Sequence, residues 1–263
     1  VGEQIASAIG KAGGDKARDV LLIGLKVEHP KVRREVVEQL GSFHRDEKVM
    51  EALRAIIAKG DASYRVEAEA ISSYAKLQPP DAGSLLPTLL DRPSHGEQIR
   101  SAALSGLGKQ PDAAGLDTLL QWTHRGKPRE CRQAAIRGLS ELAKNVHLPD
   151  AALERIVNTL LESAKGEQRR MQQSVISSLR DLGDDARPAL PVLRAMAANG
   201  PDERIRKSAK EAVEKITAAA PEQVQVKELR DELAKFREES KELRKRVEKL
   251  EAKPSKNAGE EGE

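Results

Sequence analysis

A ten-residue pattern of apolar and polar positions recurs along most of the chain. Its clearest copy, IRSAALSGLG at 99–108, is apolar at positions one, five, six and nine. That spacing places the apolar side chains on one face of an α-helix. Successive copies begin 31 to 40 residues apart, at Val1, Val32, Val66, Ile99, Cys131, Met171 and Ile205. This nearly fixed period predicts helical units that stack, because one unit cannot bury its apolar face alone.

Two positions of the pattern define how the units pack. Position five holds a small or branched residue, and position nine holds an apolar and mostly larger one. Small residues let a neighbouring helix approach to about 8–10 Å. Gly, Pro and Asp mark the turns, and Pro111-Asp112 and Asp150 are expected to begin two partner helices. The longest spacing predicts an insertion near 144–150. We predict an all-α protein, an α-solenoid of about seven helical hairpins over residues 1–217.

Beyond residue 217 the period changes to that of a coiled coil. Apolar residues alternate at spacings of three and four, with Ser240 as a polar core position. The predicted core residues are Val226, Leu229, Leu233, Phe236, Leu243, Val247 and Leu250. We predict a linker at 218–225, a coiled-coil helix at 226–251 that forms a parallel homodimer, and a disordered tail at 252–263. A lone charged helix, or one folded back on the solenoid, stays an alternative.

Composition adds few constraints on function. The chain has 45 Lys and Arg against 42 Asp and Glu, and the net charge of +3 does not require nucleic acid or an anionic membrane as partner. The single cysteine excludes an internal disulfide, and Cys131 is expected to be a buried, inert thiol because it fills an apolar position. No apolar run approaches the ~18 residues of a membrane helix and no signal peptide is visible, so the sequence favours a cytoplasmic protein.

The sequence contains no motif for catalysis, cofactors or metals. None of its histidines has a second His or Cys at metal-ligand spacing. There is no P-loop, no dinucleotide-binding glycine motif after a strand and no nucleophile elbow. We therefore expect no catalytic, cofactor-binding or metal-binding residue within this chain.

Arginines are the remaining candidates for contact with a partner. Four copies carry Arg at position two, namely Arg33, Arg100, Arg132 and Arg206. We expect each to pair with an acid of the adjacent unit, and the alternative is an anion-binding row along one face. The densest basic cluster lies near Trp122, and its candidate residues for contact with a peptide or anion are Arg129, Arg132 and Arg137. One Trp does not support a base-stacking platform, so nucleic acid is the less favoured partner.

Helix pairs with V-R-x-x-A-[AIL]-x-x-L-G on the second helix resemble HEAT repeats. The resemblance covers residues 1–217, and IRSAALSGLG is a near-ideal copy. The sixth copy departs from the pattern, with Met171-Gln172 at its start and Arg180 in place of the terminal Gly. HEAT repeats imply an architecture and no particular activity.

A narrower resemblance rests on the order and the sequences of four stretches. They are ASYRVEAEAISSYAKL at 62–77, SHGEQIRSAALSGLG at 94–108, LLQWTHRGKPRECRQAAIRGLSELA at 119–143 and the charged helix 227–251. Together they are similar to the C-terminal HEAT region of certain bacterial M1-family zinc aminopeptidases. The resemblance implies a non-catalytic region that covers the active-site cavity and limits peptide access. The zinc and the exopeptidase residues would lie in an upstream domain, and no catalytic residue of that family matches a position here.

Two other functions stay open at this stage. A free-standing HEAT scaffold would bind a protein partner and dimerise through its coiled coil. A nucleic-acid-binding HEAT protein would use the basic cluster and show steep salt dependence. The chain starts at Val1 within a pattern helix, so we expect the partner helix of that hairpin to precede the printed sequence. Whether the full-length protein is an enzyme is not fixed by these residues.

Overall fold

The computed structural model describes residues 1–166 and 168–218. Over these ranges the chain is helical and contains no strand. The α-helices are α1 Gly2–Ala12, α2 Gly14–Gly24, α3 Pro30–Leu40, α4 Glu47–Lys59, α5 Tyr64–Leu77, α6 Ala82–Thr88, α7 Gln98–Leu107, α8 Leu116–Trp122, α9 Arg129–Asn145, α10 Asp150–Ala164, α11 Arg169–Leu182, α12 Leu190–Asn199 and α13 Glu203–Ala218. Short 3₁₀ segments occupy Leu89–Asp91, His95–Glu97 and Gly183–Ala189.

The odd-numbered helices are the predicted pattern helices. Each of α1, α3, α5, α7 and α9 packs against the next odd-numbered helix. The helices α2, α4, α6, α8 and α10 each pack against the pattern helix that follows them. An even-numbered helix and its successor therefore form one hairpin, and the hairpins stack through their pattern helices. The prediction of an α-solenoid of helical hairpins is confirmed for this part of the chain, and Val1–Ile216 forms one compact unit.

The core lies along the pattern helices, as the spacing predicts. From the second copy onward every position-five residue is buried, and so is position nine in copies two to six. The first copy differs because Ile5 remains 54% exposed, and Val20 and Ile23 of α2 are exposed as well. Part of the apolar surface of α1 and α2 is thus left outside the core.

Glycine sets the distance between α7 and α9. A Cβ atom added to Gly108, at the end of α7, would lie 2.5 Å from the carbonyl oxygen of Gly138 in α9. A Cβ atom on Gly138 would lie 2.9 Å from the carbonyl oxygen of Leu104 and 2.8 Å from a methyl group of Leu119. Only a residue without a side chain permits this backbone contact.

A local signal explains the start of α4, whereas the starts of α8 and α10 differ from the prediction. Asp46 is the N-cap of α4, and its carboxylate accepts a hydrogen bond from the backbone N–H of Val49 (3.2 Å). The prediction that Pro111-Asp112 begins a helix is wrong, because α8 starts only at Leu116 and Asp112 instead accepts a bond from the N–H of Ala114 in a turn. Asp150 lies in the first turn of α10, after Pro149, and does not cap it.

The predicted insertion lengthens helices more than it extends a loop. In the unit with the 40-residue spacing, α9 has 17 residues and α10 has 15, whereas α7 and α8 have 10 and 7. Residues 146–149 alone connect α9 to α10. A long α10 therefore follows a short α8 in the row of even-numbered helices.

The predictions for the end of the chain lie outside the described residues. They comprise the linker beyond Ala218, the coiled-coil helix at 226–251 and the tail at 252–263. None of the described helices has the length and apolar character needed to cross a membrane.

Candidate functional site

The four arginines at position two of the pattern bind backbone carbonyl groups. Each guanidinium donates to an oxygen at or just beyond the C-terminal end of the preceding even-numbered segment. The pairs are Arg33 with Val27 and Glu28 (2.9 and 2.6 Å), Arg100 with Leu90 (2.7 Å), Arg132 with Thr123 (3.0 Å) and Arg206 with Gly200 (2.9 Å). Carbonyl groups at a helix end lack intrahelical donors and carry partial negative charge, so a guanidinium stabilises them. Each of these arginines therefore joins its pattern helix, through hydrogen bonds, to the turn that precedes that helix.

The expected ion pair with an adjacent unit occurs at Arg33. Its guanidinium donates two hydrogen bonds to Asp61, which precedes α5 in the next hairpin (2.8 and 3.0 Å). Burial alone would raise the pKa of Asp61, but Arg33 and the backbone N–H of Ser63 hold it below its ordinary range. At Arg100 the prediction is wrong, since the acid is Glu97 of the same unit (3.1 Å).

The three arginines predicted to contact a partner have different surroundings on α9. Arg129 is exposed and pairs with Glu130 (3.0 Å), and Arg137 is exposed. Arg132 is only 6% exposed and holds the Thr123 carbonyl. At 3.6 residues per turn, Arg137 lies about 140° around the helix from Arg132. The structure does not bring the three side chains onto one surface, and their role in contacting a peptide or anion stays a prediction.

The ring of Trp122 is covered by cations. Its side chain is buried at the end of α8. The Lys127 ammonium lies 4.2 Å from the ring centroid, and the Arg100 guanidinium carbon lies 5.8 Å from it. These cation–π contacts join α7, α8 and the loop after α8. The ring therefore contributes to the packing between α7 and α8.

A groove of about 880 Å³ runs between α8 and α10. One side is formed by α8 and the loop after it, which contribute Gln121 and Arg125. The other side is formed by Arg155, Asn158, Thr159 and Glu162, which share one face of α10 because they recur at intervals of three and four residues. Arg132 also reaches the lining, and it is the only one of the three predicted contact residues that does so.

Four charged side chains of the groove form two exposed ion pairs. Asp117 of α8 and Arg155 of α10 form an ion pair between the two helices (2.8 Å), although their side chains are 84% and 59% exposed. An exposed pair of this kind contributes about 0–1 kcal/mol to stability. Glu162 pairs with Lys165 at the end of α10, and Arg125 donates a hydrogen bond to the Lys165 carbonyl. The side chains of both pairs are largely exposed to solvent.

Two amide side chains of the groove are not used by the fold. Gln121 and Asn158 are exposed. Neither forms a side-chain hydrogen bond with the described part of the chain. One lies on α8 and the other on α10, so the groove presents free donors and acceptors from both sides. Sequence reasoning missed both residues, because an exposed amide on a helix carries no signal by itself.

The described residues contain no group of His, Cys, Asp and Glu that could hold a metal ion. Cys131 is fully buried in α9. Burial, and next the nearby Glu97 carboxylate, raise the pKa of its thiol to about 11. The thiol therefore stays protonated at neutral pH, in agreement with the expected inert role.

A family model for HEAT repeats matches residues 56–140, from the end of α4 into α9. This stretch is therefore similar to HEAT repeats. The likeness therefore includes α8 and the first part of α9, beside the groove. No curated protein matches the chain.

Two solved structures resemble the chain at low sequence identity. Human deoxyhypusine hydroxylase, in complex with glycerol, is 14% identical over 82% of this chain and 97% of its own, with a TM-score of 0.36. The E. coli protein YibA is 22% identical over 80% of this chain and 85% of its own, with a TM-score of 0.37.

Proposed function

We propose that this chain is a non-catalytic HEAT-repeat scaffold that binds a protein or peptide partner in the groove between α8 and α10. The observation that carries the proposal is the contrast between two sets of polar residues. The pattern arginines are used to bind carbonyl groups of the fold, whereas Gln121 and Asn158 present unused amides in the groove. Polar groups that the fold does not need, placed on both sides of a groove, are suited to recognition.

Site-specific photocrosslinking tests this proposal. A benzophenone amino acid replaces Gln121 or Asn158 in the full-length protein, and a control places it at Arg137, which is exposed on α9 outside the groove lining. We expect the same partner to be captured from both groove positions and not from the control. Capture that is equal at all three positions, or different partners from the two sides of the groove, would contradict the proposal.

A second candidate function is that of a cap on a zinc aminopeptidase of the M1 family. The support is local, because residues 119–143, which carry part of that resemblance, form most of α8, the loop after it and most of α9. In this role the solenoid would cover the catalytic cavity and limit peptide access, with zinc held by residues outside this chain.

The cap function is tested on the full-length protein with peptides of increasing length. Asn158→Trp narrows the groove, and the cap function requires that it change the preference for peptide length more than the cleavage of a minimal amino-acid amide. Arg137→Ala serves as the matched control. An unchanged length preference, or a full-length protein without a zinc-binding motif, counts against the cap and leaves the scaffold proposal intact.

We also propose that the helix at 226–251 pairs two copies of the protein. The support is the heptad spacing and the opposite charges of Glu232 and Arg237, Glu239 and Arg244, and Arg246 and Glu251, which would meet across a parallel dimer. A dimer would present two grooves, and a partner with two binding segments would then gain affinity by engaging both.

A further inference from the structure

We propose that α1 and α2 together form a second binding surface, which receives an amphipathic helix of a protein partner in the way that α3 and α4 receive α2. The surface lies on other helices than the groove, so the inference does not depend on the proposed function. It is argued from the exposed apolar residues of α1 and α2, and from the packing of α2 within the chain.

The first helix, α1, has two apolar faces. Ile5, Ala8 and Ala12 are exposed, and their intervals of three and four residues place them on one face. The other face packs against α3, because Ala6 is buried and a Cβ atom added to Gly2 would lie 2.7 Å from a methyl group of Val32. Only the second face is therefore covered by the described part of the chain.

The next hairpin shows what covers the exposed face. Val36 takes the same pattern position in α3 that Ile5 takes in α1, and the two residues are 3% and 54% exposed. Part of the cover over Val36 comes from α2, because a Cβ atom added to Gly24 would lie 3.0 Å from a methyl group of Val36. A helix that sits on α1 as α2 sits on α3 would therefore cover Ile5.

The packing of α2 also explains the exposed residues on its own surface. Besides α3, α2 contacts α4, and Arg18 of α2 pairs with Asp46 at the start of α4 (2.9 Å). A helix that sits on α1 in the same way would reach α2 as its second contact. Val20 and Ile23 share one face of α2 and are 50% and 69% exposed, so they offer apolar surface for that contact.

The sequence of α2 indicates which kind of helix fits. Ala17 and Leu21 are buried, and Gly24, which follows at the next helical interval, contacts Val36. Small residues let two helices approach closely, and a larger residue fills the space beside them. Because Ile5 is larger than Val36, the ligand helix needs Gly or Ala opposite it. We expect a helix with this small residue, a Leu three residues before it and polar residues elsewhere, bound in a groove between two helices.

A second copy of the chain is the competing occupant. The last described helix, α13, exposes charged residues, among them Lys207, Lys210 and Glu214. It therefore does not offer the apolar face that Ile5 and Ile23 require, which disfavours stacking of copies from head to tail. Association of two copies through their α1 helices is decided by the test.

The test measures binding of a helical peptide to the full-length protein by fluorescence anisotropy. The probe is a labelled, hydrocarbon-stapled peptide with the sequence of residues 14–27, which contains α2. We expect saturable binding that is at least about tenfold weaker in Ile5→Lys and in Ile23→Lys, because a charge placed against an apolar helix must lose its hydration. Val192→Lys, which alters an exposed apolar residue of α12, is the matched control and should bind normally. The peptide with Leu21→Lys should not bind.

Each other outcome would overturn the inference. Binding that is unchanged in both Ile5→Lys and Ile23→Lys would place the peptide elsewhere, for example in the place of α2 on α3. Absence of binding would mean that the surface takes no such helix, as when another segment of the same polypeptide covers it. A lower mass of Ile5→Lys than of the unaltered protein in analytical ultracentrifugation would assign the surface to a second copy. Because the three substituted side chains are exposed, circular dichroism should show unchanged folding. None of these results bears on crosslinking at Gln121 and Asn158, so the scaffold proposal is decided separately.

Discussion

Arg92 forms an ion pair with Glu67 and takes the place of the position-two arginine that the third copy of the pattern lacks. Glu67 stands at position two of the third copy, where four other copies have Arg. Arg92, in the loop after α6, contacts its carboxylate and also donates to the carbonyl of Ile57 near the end of α4 (2.8 Å). The carbonyl-binding guanidinium thus comes from the next hairpin, and the pair links α4, α5 and the following loop.

Arg92→Ala should destabilise the solenoid. The substitution leaves Glu67, which is 2% exposed, without its counter-charge and leaves the Ile57 carbonyl without this donor. The free energy of unfolding should fall by about 1–3 kcal/mol, measured by urea denaturation. Arg65→Ala, at an exposed position two residues before Glu67 on α5, is the matched control and should change stability little. Equal effects of the two substitutions would show that the pair contributes nothing specific.

Glu67 should also make stability depend on pH. Burial raises its pKa above the ordinary 4.5, although the Arg92 charge opposes the rise. The folded state therefore holds this proton more tightly than the unfolded state, and stability is lost as pH rises from 4.5 through the folded pKa. Relative to Glu67→Gln, the wild-type protein should lose stability over that interval. If the free energy of unfolding of the wild type instead rises relative to that of Glu67→Gln as pH increases, the Arg92 charge outweighs burial.

The contact between α7 and α9 should not tolerate a methyl group. Gly138→Ala places a Cβ atom 2.9 Å from the Leu104 carbonyl oxygen, which cannot move without shifting α7. The expected loss is about 1–3 kcal/mol in the free energy of unfolding. Gly83→Ala is the control, because no atom lies within 4 Å of the added Cβ and α6 should gain helix propensity. Thermal denaturation should show a lower midpoint temperature for Gly138→Ala than for the wild-type protein, and no decrease for Gly83→Ala.

Sequence reasoning recovered the repeats and missed the groove for physical reasons. The pattern helices were predictable because their apolar spacing is local to ten residues. The partners of Arg100 and Arg132 were not predictable, because the carbonyl groups of Leu90 and Thr123 lie beyond the ends of α6 and α8, where the path of the chain depends on packing. The groove depends on the lengths and the spacing of α8 and α10. These helices begin 34 residues apart, so no local pattern in the sequence reports how they lie beside each other. The one signal of the groove in the sequence is the 40-residue spacing, which predicts an insertion near 144–150 without showing that the extra residues lengthen α9 and α10.

The coiled-coil prediction has a direct test in the oligomeric state of the full chain. Leu243→Lys places a charge at a core position of the predicted heptad, and Lys245→Gln changes an outward position of the same turn. Analytical ultracentrifugation should show a dimer for the unaltered chain and the Lys245→Gln variant, with dissociation in Leu243→Lys. A chain that is monomeric at all concentrations would leave 226–251 as a lone or folded-back helix.

Hydrogen–deuterium exchange with the cross-linked partner tests the scaffold account most directly. The full-length protein is compared with and without that partner at saturating concentration. If the groove is the binding surface, exchange should slow in α8, the loop at 123–125 and α10, and Asn158→Ala should reduce this protection. Protection confined to the exposed faces of α3 and α5, with α8 and α10 unchanged, would contradict the assignment of the groove as the functional site.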